Sequence, residues 1–470
     1  MILATLPSVA LVESDSDDQC MCVLPDPDGD VHVFAGSSCV RAVWSSTMSA
    51  SLDLPWAAAG ARVSAAATFD GCVVLGSSTG ELAIFSARDL SRGAERMPPV
   101  ASPSAATATL PCAVVYISPL LTRHVPRAEP GAPVGGAEEK ESVRVSVTAV
   151  FITLASGEVL SASWPSLRDS GGADPFRRWS LGSHASLVGA AAANPLWSLL
   201  HDASWEPHRR FASAITPGLC APSAAPYALL VAAGEKPPVA TYHANEEESV
   251  NDISEIVNSV KNAFAGAAAK MGPFVPGWIA GLIGSGSGGA ESGASATSST
   301  NVAGGGIGGW RTELPTRLEA ELRIFSDATR RIVSILLDPS RRLALIADTW
   351  GRVALLDAAE CAVLRLWKGY RDAQLGWLEM RPGRMLSDAS GARTALAAVI
   401  YAPRRNGGVV DVFRARFGPR VASKKIGAQT KLVFAEELVR GEPVPRARCF
   451  LISTAENGIA QSQELVFAEQ

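Results

Sequence analysis

Eight consecutive residues, Trp367-Lys368-Gly369-Tyr370-Arg371-Asp372-Ala373-Gln374, gather two large aromatics, two cations, an acid and an amide. Tryptophan, tyrosine and arginine are the side chains that anchor protein interfaces, so the stretch reads as a protein-recognition loop. The plainer reading packs Trp367 between layers and pairs Arg371 with Asp372 locally, and the two readings can hold together. Arginine pairs recur at Arg330-Arg331, Arg341-Arg342 and Arg404-Arg405. An exposed pair such as Arg404-Arg405 can grip a phosphoinositide headgroup. A solvated turn between strands is the commoner setting for two adjacent cations.

Catalytic chemistry finds few candidates. Two G-x-G-x-x-G matches, at Gly284/Gly286/Gly289 and Gly304/Gly306/Gly309, lie in a glycine-serine tract. Neither follows a strand or opens a helix, so neither forms a dinucleotide cradle. No phosphate-binding G-x-x-x-x-G-K-[ST], no G-x-S-x-G and no H-E-x-x-H occurs. The six histidines are dispersed, and Cys20-x-Cys22 has no second half to complete a zinc site. The sequence therefore leads to the expectation of a non-enzyme with no cofactor, no metal and no catalytic residue.

The elements that must hold these residues are short strands. Between Arg331 and Trp377, four apolar runs alternate with turn residues: Ile332 to Leu337, Leu343 to Ala347, Val353 to Leu356 and Val363 to Trp367. Asp338-Pro339-Ser340, Asp348-Thr349-Trp350-Gly351 and Asp357 separate them. Four short strands of this kind make one blade of a propeller. Leu356-Asp357 stands in the Trp-Asp place of a WD40 repeat and Gly369-Tyr370 in its Gly-His place. A turn glycine followed by an apolar strand recurs at Gly29, Gly80, Gly157, Gly234, Gly351, Gly408 and Gly458. Spacings of 50 to 117 residues exceed the ~40–45 of an undecorated blade, so long loops are expected. The fold expected is all-β, a WD40-like β-propeller of seven blades spanning 1–470 as one domain.

Two insertions account for the excess length. Residues 123–142 are rich in proline, glycine and charge and read as a surface loop. Residues 244–313 begin with acids and then place Val250, Ile253, Val257, Val260 and Phe264 at helical spacing. That spacing predicts an amphipathic helix over 250–264, followed by Phe274 and Trp278 and by a Gly/Ser-rich linker over 284–309. An apolar helix face with Trp278 beside a tether suits either a membrane interface or a partner's groove. The helix carries Glu255 as well as Lys261 on its polar side, which weakens the membrane version.

Composition narrows the class further. Net charge is −4, with 42 basic and 46 acidic residues, so nucleic acid is not an expected partner. Eight scattered cysteines and the absence of any Asn-x-Ser/Thr site fit a reducing, cytoplasmic compartment. No apolar run reaches the ~18–20 residues of a membrane span, which leaves peripheral contact as the expected membrane relation. The opening MILATLPSVALV lacks a basic leader and runs into Glu13-Ser-Asp-Ser-Asp-Asp. It reads as a first strand that closes the ring rather than a signal peptide.

The words ADTWGRVALLD, LWKGYRDAQLGW, AVIYAPRRNGGVVDVF and FGPRVA, in that order over about 315–425, carry a resemblance. They resemble the N-terminal domain of the regulatory, non-catalytic subunit of the heterodimeric Rab GTPase-activating complex that acts on Rabs of regulated exocytosis. Members of that family run longer, and Asn406-Gly407 interrupts their usual spacing here. The resemblance implies a scaffold that pairs with a catalytic subunit and with Rab-family small GTPases. It also implies nucleotide exchange on a second Rab, at endoplasmic reticulum or vesicle membranes. The catalytic arginine would come from the partner. Trp367, Lys368, Tyr370, Arg371, Asp372, Gln374, Arg404 and Arg405 are then the expected partner-binding residues. A phosphoinositide-binding propeller serving as a trafficking or autophagy scaffold is the alternative.

Overall fold

A computed structural model describes residues within 2–86, 107–124, 144–170, 176–193, 228–244, 315–325, 329–380, 395–415, 419–439 and 445–468, apart from short connections. The predicted helix over 250–264, Trp278, the linker over 284–309 and residues 125–142 of the first insertion lie outside the described residues. Arg123 and His124 end the strand Val114–His124, and Ala244 ends the strand Val239–Ala244.

The described strands form seven sheets of four or five strands, the first six running in chain order from an inner to an outer strand. The first sheet spans 19–52, the second 63–109, the third 114–180, the fourth 186–324, the fifth 332–368 and the sixth 374–425. The seventh is built from Thr430–Glu437, Arg446–Thr454 and Ile459–Ala468. Ile2–Thr5 and Val9–Glu13 complete it by pairing antiparallel with Ile459–Ala468, so the opening residues do form closing strands.

Each neighbouring pair of sheets encloses an apolar cluster. Val73 and Leu75 of the second sheet meet Val31 and Val33 of the first. Leu345 and Leu355 of the fifth meet Trp377 and Ile400 of the sixth. The last cluster joins Val23, Phe34 and Val43 of the first sheet to Val433, Phe450 and Ile452 of the seventh. The sheets therefore stand around a ring, as the blades of a β-propeller. Because each sheet is covered on both faces, its second strand is largely buried. Leu343–Asp348 and Cys72–Ser77 show no exposed position, which is why such runs lack the alternation of a half-buried strand.

Six of the seven glycine patterns fall at the hairpin between second and third strands. In the first sheet Gly29 instead precedes the second strand, Val31–Ala35. Gly234 lies inside Ala228–Glu235, and the turn follows at Lys236-Pro237.

Innermost strands of sheets that are not neighbours meet at the middle of the ring. The Tyr116 hydroxyl of the third sheet donates to the Ile335 carbonyl of the fifth at 3.4 Å. Arg341, on the turn after Ile332–Leu337, forms an ion pair with Glu436 of the seventh sheet. Burial pushes the Glu436 carboxyl above its usual range, and Arg341 opposes that shift. Asp338 holds the turn itself: its carboxylate accepts the backbone N–H groups of Arg342 at 2.8 Å and Leu343 at 2.6 Å.

Candidate functional site: the junction of the fifth and sixth sheets

The stretch with the richest recognition chemistry leaves the outer strand Ala362–Lys368 of the fifth sheet and enters the inner strand Gln374–Met380 of the sixth. Its path is fixed by the hairpin beside it. Asp348 accepts the N–H groups of Trp350 and Arg352, each at 2.9 Å, and shapes the turn that ends on Gly351. The Gly351 carbonyl then accepts from Gly369 at 3.0 Å and Tyr370 at 2.8 Å. Gly351 has φ +74°, and a Cβ there would lie 2.7 Å from Cγ of Arg371. Only glycine combines that backbone with so close a crossing.

Asp411, in the third strand of the sixth sheet and fully buried, is the hub below the loop. It accepts from the Tyr370 hydroxyl at 2.7 Å, from Arg405 at 2.8 Å and from Arg420 at 3.3 Å. The Arg405 guanidinium also stands 5.0 Å from the Tyr370 ring centre. Burial first, and then the hydrogen bond to Asp411, push the Tyr370 hydroxyl up to about 12, so it stays protonated as the donor. A buried carboxylate is tolerable only with such partners, and two guanidiniums plus a phenol supply them.

The expected site residues divide into two groups. Trp367 and Tyr370 are 7% and 4% exposed, so they do not present their rings to a partner. Trp367 packs against Phe413 with ring centres 5.1 Å apart, and Arg365 lies 4.9 Å from its ring. These rings position the loop, as the plainer reading of Trp367 has it. Gln374 likewise turns inward and accepts the Leu432 N–H of the seventh sheet at 2.6 Å. Lys368, Arg371, Asp372 and Arg404 are exposed. Asp372 pairs with Arg404 across the two connections, not with its neighbour Arg371. The structure thus brings 367–374 and 404–405 into one cluster, with Arg405 committed inward and Arg404 outward.

Sequence reasoning missed Asp411, and it read Val363 to Trp367 as a fourth strand without its exposed apolar side chains. Asp411 was visible as a lone acid in the apolar run Val409–Arg414, a placement that calls for buried partners. Among the described residues, no three His, Cys, Asp or Glu side chains gather to hold a metal ion. No described helix is long and apolar enough to cross a membrane.

The model of the Rab3 GTPase-activating protein regulatory subunit N-terminus matches residues 143–433, more than half the chain and all of the junction. The chain belongs to this family. The regulatory-subunit match thus covers the third sheet from its second strand onward and the fourth to sixth sheets, and it reaches into the inner strand of the seventh. Among solved structures, the chain is similar to BBS1N in a crystal structure of its complex with ARL6DN, soaked with lead. Identity there is 9% and the TM-score 0.49, covering 100% of this chain and 98% of that chain. A chain of the mitotic checkpoint complex matches at 9% identity and a TM-score of 0.44, covering 98% of this chain and 94% of that one. Those values bear on neither partner nor activity, and the propeller rests on the strand topology above.

Proposed function

We infer that this propeller is a non-catalytic scaffold of a Rab GTPase-activating complex, acting through contact with a catalytic subunit and, through it, on Rab GTPases. The observation that carries the reading is the regulatory-subunit match over 143–433. Support comes from the junction, where buried groups hold Lys368, Arg371, Asp372 and Arg404 outward as a polar surface. In this reading the arginine that stabilises the hydrolysis transition state comes from the partner. The same scaffold serves nucleotide exchange on a second Rab, and the complex works from the cytoplasm at endoplasmic reticulum or vesicle membranes.

The test is reconstitution from purified components. The chain alone leaves the GTP hydrolysis rate of a Rab unchanged, and it forms a stable complex with the catalytic subunit in size-exclusion chromatography. Failure to bind that subunit, or stimulation of hydrolysis by the chain alone, overturns the reading. Flotation with phosphoinositide vesicles that depends on Arg404 and Arg405 would favour the lipid-binding alternative instead. Arg405 already bonds a buried carboxylate and Arg404 pairs with Asp372, so neither is presented as a spare cation.

A further inference from the structure

All five large hydrophobic side chains left exposed among the described residues belong to the fifth sheet: Val333, Trp350, Val363, Leu364 and Leu366. Three of them lie on its outermost strand, Ala362–Lys368, each about 40% exposed (43%, 41% and 39%). That strand pairs only with Arg352–Asp357, so its other edge has no strand partner among the described residues. An apolar outer edge of this kind is a ready template for another strand, and proteins normally blunt it with charge. The sixth sheet does so: its outer strand reads Arg-Val-Ala-Ser-Lys-Lys over Arg420–Lys425.

Register shows how the exposed side chains are arranged. Leu366 stands opposite Ala354 and Val363 opposite Leu356, whereas Trp367 stands opposite Val353 and Arg365 opposite Leu355. Ala354 and Leu356 belong to the core shared with the fourth sheet, and Val353 and Leu355 to the core shared with the sixth. Opposite residues share a face. Val363 and Leu366 therefore sit together on the side toward the fourth sheet, with Leu364 at the bulge between them.

The protein already uses this mode of extension. The outer strand of the third sheet, Arg177–Ser180, carries a fifth strand, Thr316–Arg317, added in parallel from a distant part of the chain. Charge then selects the occupant. Lys368 and Arg371 stand exposed at the junction end of the fifth sheet's edge, while both nearby acids are engaged elsewhere, Asp348 buried against Arg330 at 3.6 Å and Asp372 paired with Arg404.

We propose that Ala362–Lys368 is a docking edge that takes an extended segment of the catalytic partner subunit as an added strand. That segment carries aliphatic side chains for Val363 and Leu366 and a carboxylate for Lys368 and Arg371. The inference rests on the regulatory-subunit reading above and names where that partner sits. Backbone pairing supplies affinity and the side chains supply selection, as in other strand-addition complexes.

The experiment uses the whole chain and the purified catalytic subunit. Binding is measured by titration for wild type, for Val363→Lys/Leu366→Lys and for Ser423→Lys, which adds charge to the neighbouring edge. The double variant is expected to bind on the order of tenfold more weakly or worse, since truncating central apolar contacts carries most interface energy. Ser423→Lys is expected to bind as wild type does. If the lysine pair disturbs folding, Val363→Thr/Leu366→Thr keeps strand-forming side chains and still removes the apolar surface. Amide hydrogen exchange over 362–368 should slow when the partner binds. Undiminished binding by a folded double variant overturns the docking edge and leaves the regulatory-subunit reading standing. The edge is equally overturned by unchanged exchange in the complex, by protection in the free chain of the 362–368 amides that point away from Arg352–Asp357, or by a wild-type dimer that the variant disperses. If wild type fails to bind at all, the regulatory-subunit reading itself falls, and the docking edge with it.

Discussion

His32 should make the closure of the ring sensitive to mild acid. It lies on the second strand of the first sheet, 4% exposed, with Nε2 2.8 Å from Ser462 Oγ of the seventh sheet. Its ring meets Phe450 edge-on at 5.8 Å, and Arg448 sits beside it, bonded to Asp30 and Glu464. Burial, with Arg448 adding a smaller push, lowers its pKa from 6.5 to about 4. A depressed value means that the stability His32 contributes is fully present above 6.5 and is lost as pH falls from there toward 4. Each unit in that window is worth about 1.4 kcal/mol. Going from pH 7 to pH 5 therefore removes about 2 kcal/mol from the first–seventh junction, roughly a 20-fold rise in its opening. Amide exchange of Val31–Ala35 and Ile459–Ala468, corrected for the intrinsic pH dependence, reads that opening directly. His32→Gln keeps a polar partner for Ser462 and cannot take up the proton. Its exchange should change far less than that of wild type between the two pH values. Equal changes in wild type and His32→Gln would refute the reasoning.

Three further outcomes follow from groups already placed. Tyr370→Phe removes a hydrogen bond to a buried carboxylate and should lower stability by roughly 1.5–3 kcal/mol in denaturant unfolding, while leaving the Arg405–Asp411 pair in place. Arg341→Ala strands Glu436 in the middle of the ring and should cost about 3–5 kcal/mol at pH 7. Because the Glu436 pKa is raised, that loss should shrink as the acid is protonated, so unfolding midpoints compared at pH 7 and pH 4.5 test it. Gly408→Ala places a Cβ 2.0 Å from the Gly427 carbonyl oxygen at φ +97°. It should exceed the roughly 1–2 kcal/mol of a left-handed backbone alone, and thermal unfolding measures it.

Strand rhythm was readable from the sequence because turn glycines and apolar runs are local. Each of the seven glycine patterns lies in a different sheet. Their placement within a sheet was less readable. Gly29 resembles the others in its flanks, yet it precedes a second strand instead of a third, since hairpin position depends on which neighbour the strand finds. The long pair Val114–His124 and Arg144–Leu154 was hidden for a related reason. Pro119 interrupts the first, and its pairing with Val150 spans the whole first insertion. At the junction, the Trp367–Gln374 stretch stood out by residue type, but the direction of its rings did not. Trp367 turns inward because Phe413 waits in the sixth sheet, and Tyr370 because Asp411 does. Such long-range partners leave no periodic trace in a strand covered on both faces.

The pairing of Ile2 with Ala468 sets a schedule for synthesis. A ribosome adding about 5–20 residues per second needs on the order of half a minute or more to make the second strand after the first has emerged. Throughout that interval Ile2–Thr5 and Val9–Glu13 are apolar strands whose template does not yet exist. Six sheets can assemble before the seventh can be finished, and a nascent chain at that stage is an open crescent with sticky ends.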